Sequence, residues 1–307
     1  MVYCDAVMIR GAGLGTRLFA WARCALYAQE HGALMLAPRW VQPRLGPLVR
    51  GGIDLRSYMR QILLLGLFKA APNDITGVRA ARLRARAQRL PEPEHWRQEP
   101  STVMPATGLV VFSGYGQGFQ DLNGYDHLLL LCLRAITRER WLKLVDQVTE
   151  PFIGINVRLG NDFRTAQSSE DYYTKGAVKT PLDWYIVSLQ QLRLQIGRPV
   201  KAIVVSDGTP AALSPLLELE NVSFWRPGCA ISDLLILAKA RVLLAAGGSS
   251  FSAWAAFLGQ MPTASHPGQS LTWFKLVNRH EKFLGEFDPA VPDNPLLNQS
   301  RQALLNS

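Results

Sequence analysis

Continuous apolar runs recur in the second half of the chain, each ending in a small cluster of glycine, serine or charged residues. The clearest is Val242–Ala245, followed by Gly247, Gly248, Ser249 and Ser250 and then by a helical stretch through Trp254 to Leu258. An unbroken apolar run reads as a parallel strand covered on both faces. The two glycines permit a tight turn, and Ser249 or Ser250 can cap the helix. Phe152–Val157, Lys201–Val205 and Val222–Trp225 read as strands of the same kind. Between them the pattern predicts a helix from Pro181 to about Ile196, another beginning at Thr209 or Pro210, and a third over Asp233–Ala240 capped by Ser232. Strands alternating with helices predict a parallel α/β sheet with right-handed crossovers.

The first half opens similarly. Ala6–Ile9 reads as a strand, GAGLGTR (Gly11–Arg17) as a turn, and Leu18–Glu30 as a helix closed by Gly32. Ala33–Leu36 follows as a second strand. The pattern weakens from Val41 to Pro105. Tyr58–Ala70 is an apolar helix candidate, and over Val78–Leu90 helical spacing puts Arg79, Arg82, Arg86 and Arg89 on one face, with Arg84 off it. Leu109–Phe112 reads as a strand and His127–Val148 as one helix. Thr149, Glu150 and Pro151 interrupt the pattern, so the expected division is 1–150 and 151–307. The second domain is expected to run to about Pro267. A tail follows, helical near Gln302–Leu305 and expected to pack back onto the first domain.

Length and composition suit two globular domains or one large α/β unit: 307 residues, 48% hydrophobic and 19% charged. The net charge of +9 favours an anionic partner: nucleotide phosphate, an anionic membrane surface or nucleic acid. The arginine face is either a solvated surface or a contact with an anionic membrane. RNA-binding motifs with aromatic platforms are absent, so nucleic acid is not expected. Cys4, Cys24, Cys132 and Cys229 are far apart with no C-x-x-C pair, which argues against a zinc ribbon and for a reducing compartment. The amino terminus lacks a basic segment followed by an apolar core, and Ile62–Phe68 is too short to span a bilayer. The expected location is the cytoplasm, with a peripheral site at the inner membrane face as its variant.

Candidate chemistry sits after the predicted strands. The first glycine turn has the spacing G-x-G-x-G rather than G-x-G-x-x-G, and Pro38 and Arg39 stand where a dinucleotide site wants an acid. A loop bringing the Gly13 and Gly15 backbone close to an acceptor or phosphate fits better than an NAD site. Three polar groups follow strands of the second half: Arg158 with Asp162, Asp207, and Ser249 with Ser250. Ligands of open α/β sheets bind outside those strand ends. Arg158 can fork onto a diphosphate, and the amides and hydroxyls at Ser249 and Ser250 can hold the same oxyanion. Asp207, acceptor-only when ionised, suits a donor-rich edge such as that of guanine. The alternatives are a surface ion pair between Arg158 and Asp162, an Asx turn at Asp207, and a plain helix cap at Ser249. No D-x-D pair occurs, and His31, His95, His127, His266 and His280 do not cluster, so no metal and no cofactor are assigned.

Four blocks then resemble a family. GAGLGTRLFAWARCAL is similar to the opening of α-1,2- and α-1,6-type fucosyltransferases, INVRLGND to their H-x-R-x-G-D block, and IVVSDG to their F-S-D-D block. ISDLLILAKARVLLAAGGSSFSAWAAFLG is similar to their D-L-x-L-M…N-S-S-F-S-W-W-A-A-x-L block. The blocks keep family order and omit about Val41–Glu150. Asn156 replaces the usual His, Thr16 and Arg17 replace Asn-Gln, Gly247 and Gly248 differ before the Ser pair, and Ala253 replaces a Trp. The resemblance implies a GT-B fold of two Rossmann-like domains, an acceptor-side first domain and a nucleotide-sugar-binding second one. It implies metal-independent, inverting transfer of fucose from GDP-fucose to a glycan hydroxyl. Gly13, Gly15, Asn156, Arg158, Asp207, Ser249, Ser250 and Phe251 become the expected donor-binding residues, and Arg158 and Asp162 the catalytic ones. Glu170 and Asp171 are equal candidates for the base. Alternatives are a GT-B enzyme using another nucleotide sugar and a non-catalytic nucleotide- or glycan-binding module.

Overall fold

The computed structural model describes residues 2–40, 66–94, 96, 108–174, 177–227, 229–277, 281–291 and 293–305. Residues 58–65 of the Tyr58–Ala70 helix candidate, His95 and His280 lie outside the described residues. The chain forms two compact units, Met1–Leu142 and Lys143–Ser307, each with its own parallel sheet. The division falls ahead of Glu150–Pro151. Val145 is already buried, and its carbonyl accepts from Lys239 Nζ at 3.2 Å, which ties this segment to the second unit.

In the first unit the elements are β1 (Val2–Val7), α1 (Leu14–Glu30), β2 (Leu34–Leu36), α2 (Gly77–Arg86), β3 (Arg89–Pro91), β4 (Gly108–Ser113) and α3 (Asp126–Ile136). The sheet order is β2-β1-β4-β3, all parallel. β1 begins earlier than its apolar run because Asp5 interrupts that run yet is buried. Arg84 neutralises it, with Nε 2.9 Å from Oδ2 and Nη2 2.7 Å from Oδ1. A buried carboxylate persists only when so paired. The helix of the arginine face stops at Arg86, and Arg89 opens β3, so only Arg79, Arg82 and Arg86 share a helix. The expected His127–Val148 helix is two: α3 and α4 (Glu139–Asp146). Thr137 breaks it, forming a bridge to Phe68 and donating from Oγ1 to the Leu133 carbonyl.

The second unit contains β5 (Ile153–Val157), α5 (Leu182–Ile196), β6 (Ala202–Ser206), α6 (Ser214–Leu217), β7 (Val222–Phe224), α7 (Ala230–Lys239), β8 (Val242–Ala245), α8 (Ser250–Gly259), β9 (Thr263–Ser265), β10 (Leu284–Glu286) and α9 (Pro295–Leu305). The order is β10-β9-β8-β5-β6-β7, again all parallel. Every residue of β5 and β8 is buried, as strands covered on both faces must be. Ile153, Ile155, Val204 and Leu244 share a core with Tyr185 and Leu189 of α5 and with Leu296 and Leu304 of α9. The tail packs on the core of its own unit. Its buried Leu296, Leu297, Ser300 and Leu304 follow one helical face. Cys229, not Ser232, stands at the cap of α7. Ser232 lies inside the helix and donates to the Cys229 carbonyl at 2.8 Å.

Candidate functional site

From β5 the chain winds outward through β6 and β7, then crosses back to place β8 on the other side of β5. The strand order thus reverses between β5 and β8. Open α/β sheets bind ligands in the crevice outside the carboxyl ends at such a point. Arg158 leaves β5 there, and the Gly247–Ser250 turn leaves β8 there.

The turn after β8 is built for close approach. Gly248 takes a positive φ of 66°. A Cβ on Gly247 would collide with the side chain and carbonyl of Gln269. Gln269 cannot give way, because its Oε1 accepts from Thr180 at 2.6 Å and its Nε2 donates to the Val178 carbonyl at 2.9 Å. Ser249 caps α8, its Oγ accepting the Ser252 amide at 3.3 Å. The first-turn amides of a helix have no intrahelical partner, and at Ser250 and Phe251, both half-buried, they open the positive end of α8.

Asn156, expected at the donor, is 2% exposed. Its Nδ2 donates to Ser252 Oγ at 2.7 Å, and that oxygen also accepts the Ala246 amide at 3.1 Å. The Asn156 carbonyl accepts from Tyr185 at 2.9 Å. Asn156 thus pins the end of β5 to the end of β8 and the start of α8 from inside.

Arg158 lies between two carboxylates. Nη2 donates to Asp162 at 2.8 Å, and Nη1 is 3.2 Å from Asp207. Its guanidinium sits 5.0 Å from the Phe163 ring centroid, and its buried Nε makes no hydrogen bond. Asp207 Oδ1 accepts the Leu159 amide at 2.7 Å and Oδ2 the Gly160 amide at 3.1 Å. The expected ion pair of Arg158 with Asp162 is present, but Asp207 makes it a three-residue clamp. Asp207's two oxygens are taken by the Leu159 and Gly160 amides rather than by an Asx turn, and the turn that follows is made by Ser206, whose Oγ accepts the Gly208 amide. Both Asp207 oxygens serve the Arg158 loop, which places this carboxylate as a loop brace and not at a free edge. A Cβ on Gly160 would run into Asp162 and Asp207, so only glycine lets them converge.

The base candidates differ in commitment. Asp171 accepts the Gln167 amide at 2.6 Å and pairs with Arg164 at 2.6 Å. These contacts hold its carboxyl below the usual range. With Ser168 it forms a reciprocal cap on the short helix Ser169–Tyr173. Asp162 is held by Arg158, and Glu170 is exposed.

One acidic residue at this edge carries no role in the sequence reading beyond opening a helix. Asp233, in the first turn of α7, is pushed up to about 7 by burial, with Ser232 and Trp225 offsetting part of the push. Its Oδ1 and the Trp225 Nε1 are buried without a hydrogen bond of proper geometry. A carboxyl desolvated in this way beside a strand end is a mark of a functional position. The signal in the sequence is its place as the acid that heads the D-L-x-L-M-like block, in a helix whose only other polar residues are Ser232 and Lys239.

In the first unit Gly13 precedes α1 with no side-chain cap, and a Cβ there would meet nothing within 4 Å. Gly15 is buried in the first turn of α1. Thr16 Oγ1 is 3.0 Å from the Tyr115 hydroxyl. Arg17 is 2% exposed and donates to the Ala12 carbonyl at 2.9 Å and to that of Trp40, so it holds the glycine loop from within. Among the described residues no group of three His, Cys, Asp or Glu could hold a metal ion, and no helix is long and apolar enough to cross a membrane.

This architecture has known counterparts. The chain is similar to the fucosyltransferase NodZ from Bradyrhizobium, at 15% identity and a TM-score of 0.50 over 85% of this chain and 92% of that one. NodZ α-1,6-fucosyltransferase co-crystallised with GDP gives a TM-score of 0.51 at 15% identity. A mutant of FUT1 from Arabidopsis thaliana in complex with GDP gives 0.50 at 14% identity, over 85% of this chain and 69% of that one. No family model and no curated protein matches the chain. The likeness establishes the fold: α/β, with two parallel Rossmann-like sheets, as in the GT-B fucosyltransferases.

Proposed function

We propose that the protein is a glycosyltransferase moving fucose from GDP-fucose to a glycan hydroxyl. The observation that carries this reading is the convergence of an arginine loop and a serine-capped helix start where the strand order reverses. It is supported by likeness in fold to fucosyltransferases solved with GDP. In this reading the second unit holds the donor and the first unit receives the acceptor. The diphosphate lies on the amides of Ser249, Ser250 and Phe251 and the hydroxyls of the two serines, with Arg158 forked onto it. Asp207 positions Arg158, and Asn156 positions the two strand ends.

Asp233 takes the part expected of Asp207 and accepts from the donor edge of guanine. Its carboxylate, when ionised, is acceptor-only and suits the N1–H and amino group of that base, and Oδ1 lacks a hydrogen bond of proper geometry in the free chain. Transfer inverts the anomeric centre: the acceptor oxygen attacks the sugar from the face opposite the diphosphate. The sugar–phosphate bond breaks and its electron pair leaves with GDP. A carboxylate takes the acceptor proton; Asp162, Glu170 and Asp171 are the candidates, of which Asp162 is paired with Arg158 and Asp171 with Arg164 while Glu170 is exposed. The growing charge on GDP is met by fixed cations and amides, a role other transferases give to a metal held by D-x-D.

Two assays test the reading. GDP at about 100 times its Kd should stabilise the protein by about 2.7 kcal/mol in thermal unfolding. Transfer from GDP-fucose to an array of glycans should release GDP. Stabilisation by UDP in preference to GDP would replace the donor, and GDP binding without transfer to any acceptor would leave a binding module.

A further inference from the structure

The outward side of α2 carries charge left unpaired among the described residues. Residues 77–91 contain five arginines and no acidic residue. Arg84 turns inward to Asp5. Arg79, Arg82, Arg86 and Arg89 are exposed, and among the described residues none of them makes an ion pair or a hydrogen bond. With 3.6 residues per turn, Arg79, Arg82 and Arg86 fall in an arc of about 60°. Val78, Ala81 and Ala85 fill the neighbouring arc and are also exposed, Val78 at 68%. Ala80 and Leu83 face the core with Leu36, Ile75 and Leu109. Like charges three and four residues apart destabilise a helix. A surface of one sign with no acid among it points to an anionic partner.

We propose that this face of α2, with Arg89 at its end, docks on an anionic lipid bilayer. The helix would lie flat on the membrane, with its exposed apolar stripe at the headgroup boundary and its arginine stripe on the lipid phosphates. Charge complementarity and the adjoining Val78–Ala85 stripe favour this occupant. Single-stranded nucleic acid is disfavoured because residues 77–91 contain no aromatic side chain on which a base could stack. Each basic residue at such a surface raises partition about five-fold, and three together about 10². The inference is independent of the proposed chemistry.

The test is co-sedimentation of the full chain with phosphatidylcholine–phosphatidylserine vesicles, pure phosphatidylcholine vesicles, and single-stranded RNA at low salt. Wild type should bind the anionic vesicles, leave the neutral ones and weaken as salt rises. A triple variant, Arg79→Gln with Arg82→Gln and Arg86→Gln, should lose about 10² in partition while keeping its far-ultraviolet spectrum. If the triple variant does not fold, Arg82→Gln alone should lose about five-fold. Val78→Asn, which removes apolar surface without changing the charge, should weaken vesicle binding and leave any RNA binding unchanged. No binding of wild type to anionic vesicles overturns the proposal, as does undiminished binding by the folded arginine variants. RNA bound more tightly than vesicles through the same arginines would transfer the face to nucleic acid.

Discussion

Arg158 is held by two carboxylates in the free protein, and in the proposed reaction it meets a diphosphate whose charge grows as the bond breaks. An interaction that strengthens toward the transition state raises turnover more than donor affinity. Arg158→Ala and Arg158→Lys should therefore lower turnover at saturating GDP-fucose by about 10²–10³, or about 3–4 kcal/mol, with lysine rescuing poorly because it lacks the planar fork. A folded variant retaining a third of wild-type turnover would reduce Arg158 to a brace for Asp162 and Asp207.

Asp233 gives a second expectation at this scale. Its folded pKa is raised to about 7, so between the ordinary carboxylate range and about 7 the folded chain holds a proton that the unfolded chain has released. Stability of the free protein should fall as pH rises through that window and level off above it. GDP binding should run the other way, because guanine donors select the ionised carboxylate. Its affinity should drop about tenfold per pH unit below about 7. Asp233→Asn should flatten both profiles and cut the preference for GDP over inosine diphosphate, which lacks the 2-amino group. Calorimetry across pH reads both, and a pH-independent GDP affinity in wild type would remove Asp233 from the base. The site's cation and helix cap were legible as residues after apolar runs. The proposed division of labour between Asp207 and Asp233 was not, because it depends on which carboxylate the Leu159 and Gly160 amides already fill.

At the level of elements, β5, β8 and α8 act as one device joined by the Asn156–Ser252 hydrogen bond. Removing a buried partner leaves Ser252 with one donor fewer and opens a void at the strand end, at a cost of about 1–3 kcal/mol. Asn156→Ala should lower thermal stability accordingly and weaken GDP binding, although Asn156 is 2% exposed. Unchanged GDP affinity in a destabilised variant would limit the link to folding. The parallel strands of the second unit were readable because burial on both faces makes them continuously apolar. β9 and β10 were not, since each has three residues and includes Thr263, Ser265 or Glu286. β1 was misplaced by Asp5, whose burial rests on Arg84, remote in sequence and on a different element. Thr137 likewise splits a helix through a bridge to Phe68 that no local pattern announces.

For the whole molecule, two parallel sheets and a net charge of +9 set the terms of the proposed catalysis. A diphosphate leaving group needs positive charge fixed in place before the reaction, from a bound divalent ion or from the protein itself. No D-x-D pair occurs in the sequence. At the strand-order reversal the protein offers a guanidinium on a braced loop and the amino end of a ten-residue helix. Helix amides and a forked arginine together present several donors that need no reorganisation as charge develops. Transfer from GDP-fucose should then persist in excess EDTA at about the rate without it. Added magnesium or manganese should change that rate less than Arg158→Ala does. The check is GDP release with chelator, with each metal restored, and with the Arg158 variants in parallel. Activity abolished by EDTA and recovered with either metal would mean that an ion, and not Arg158 with α8, carries the leaving-group charge.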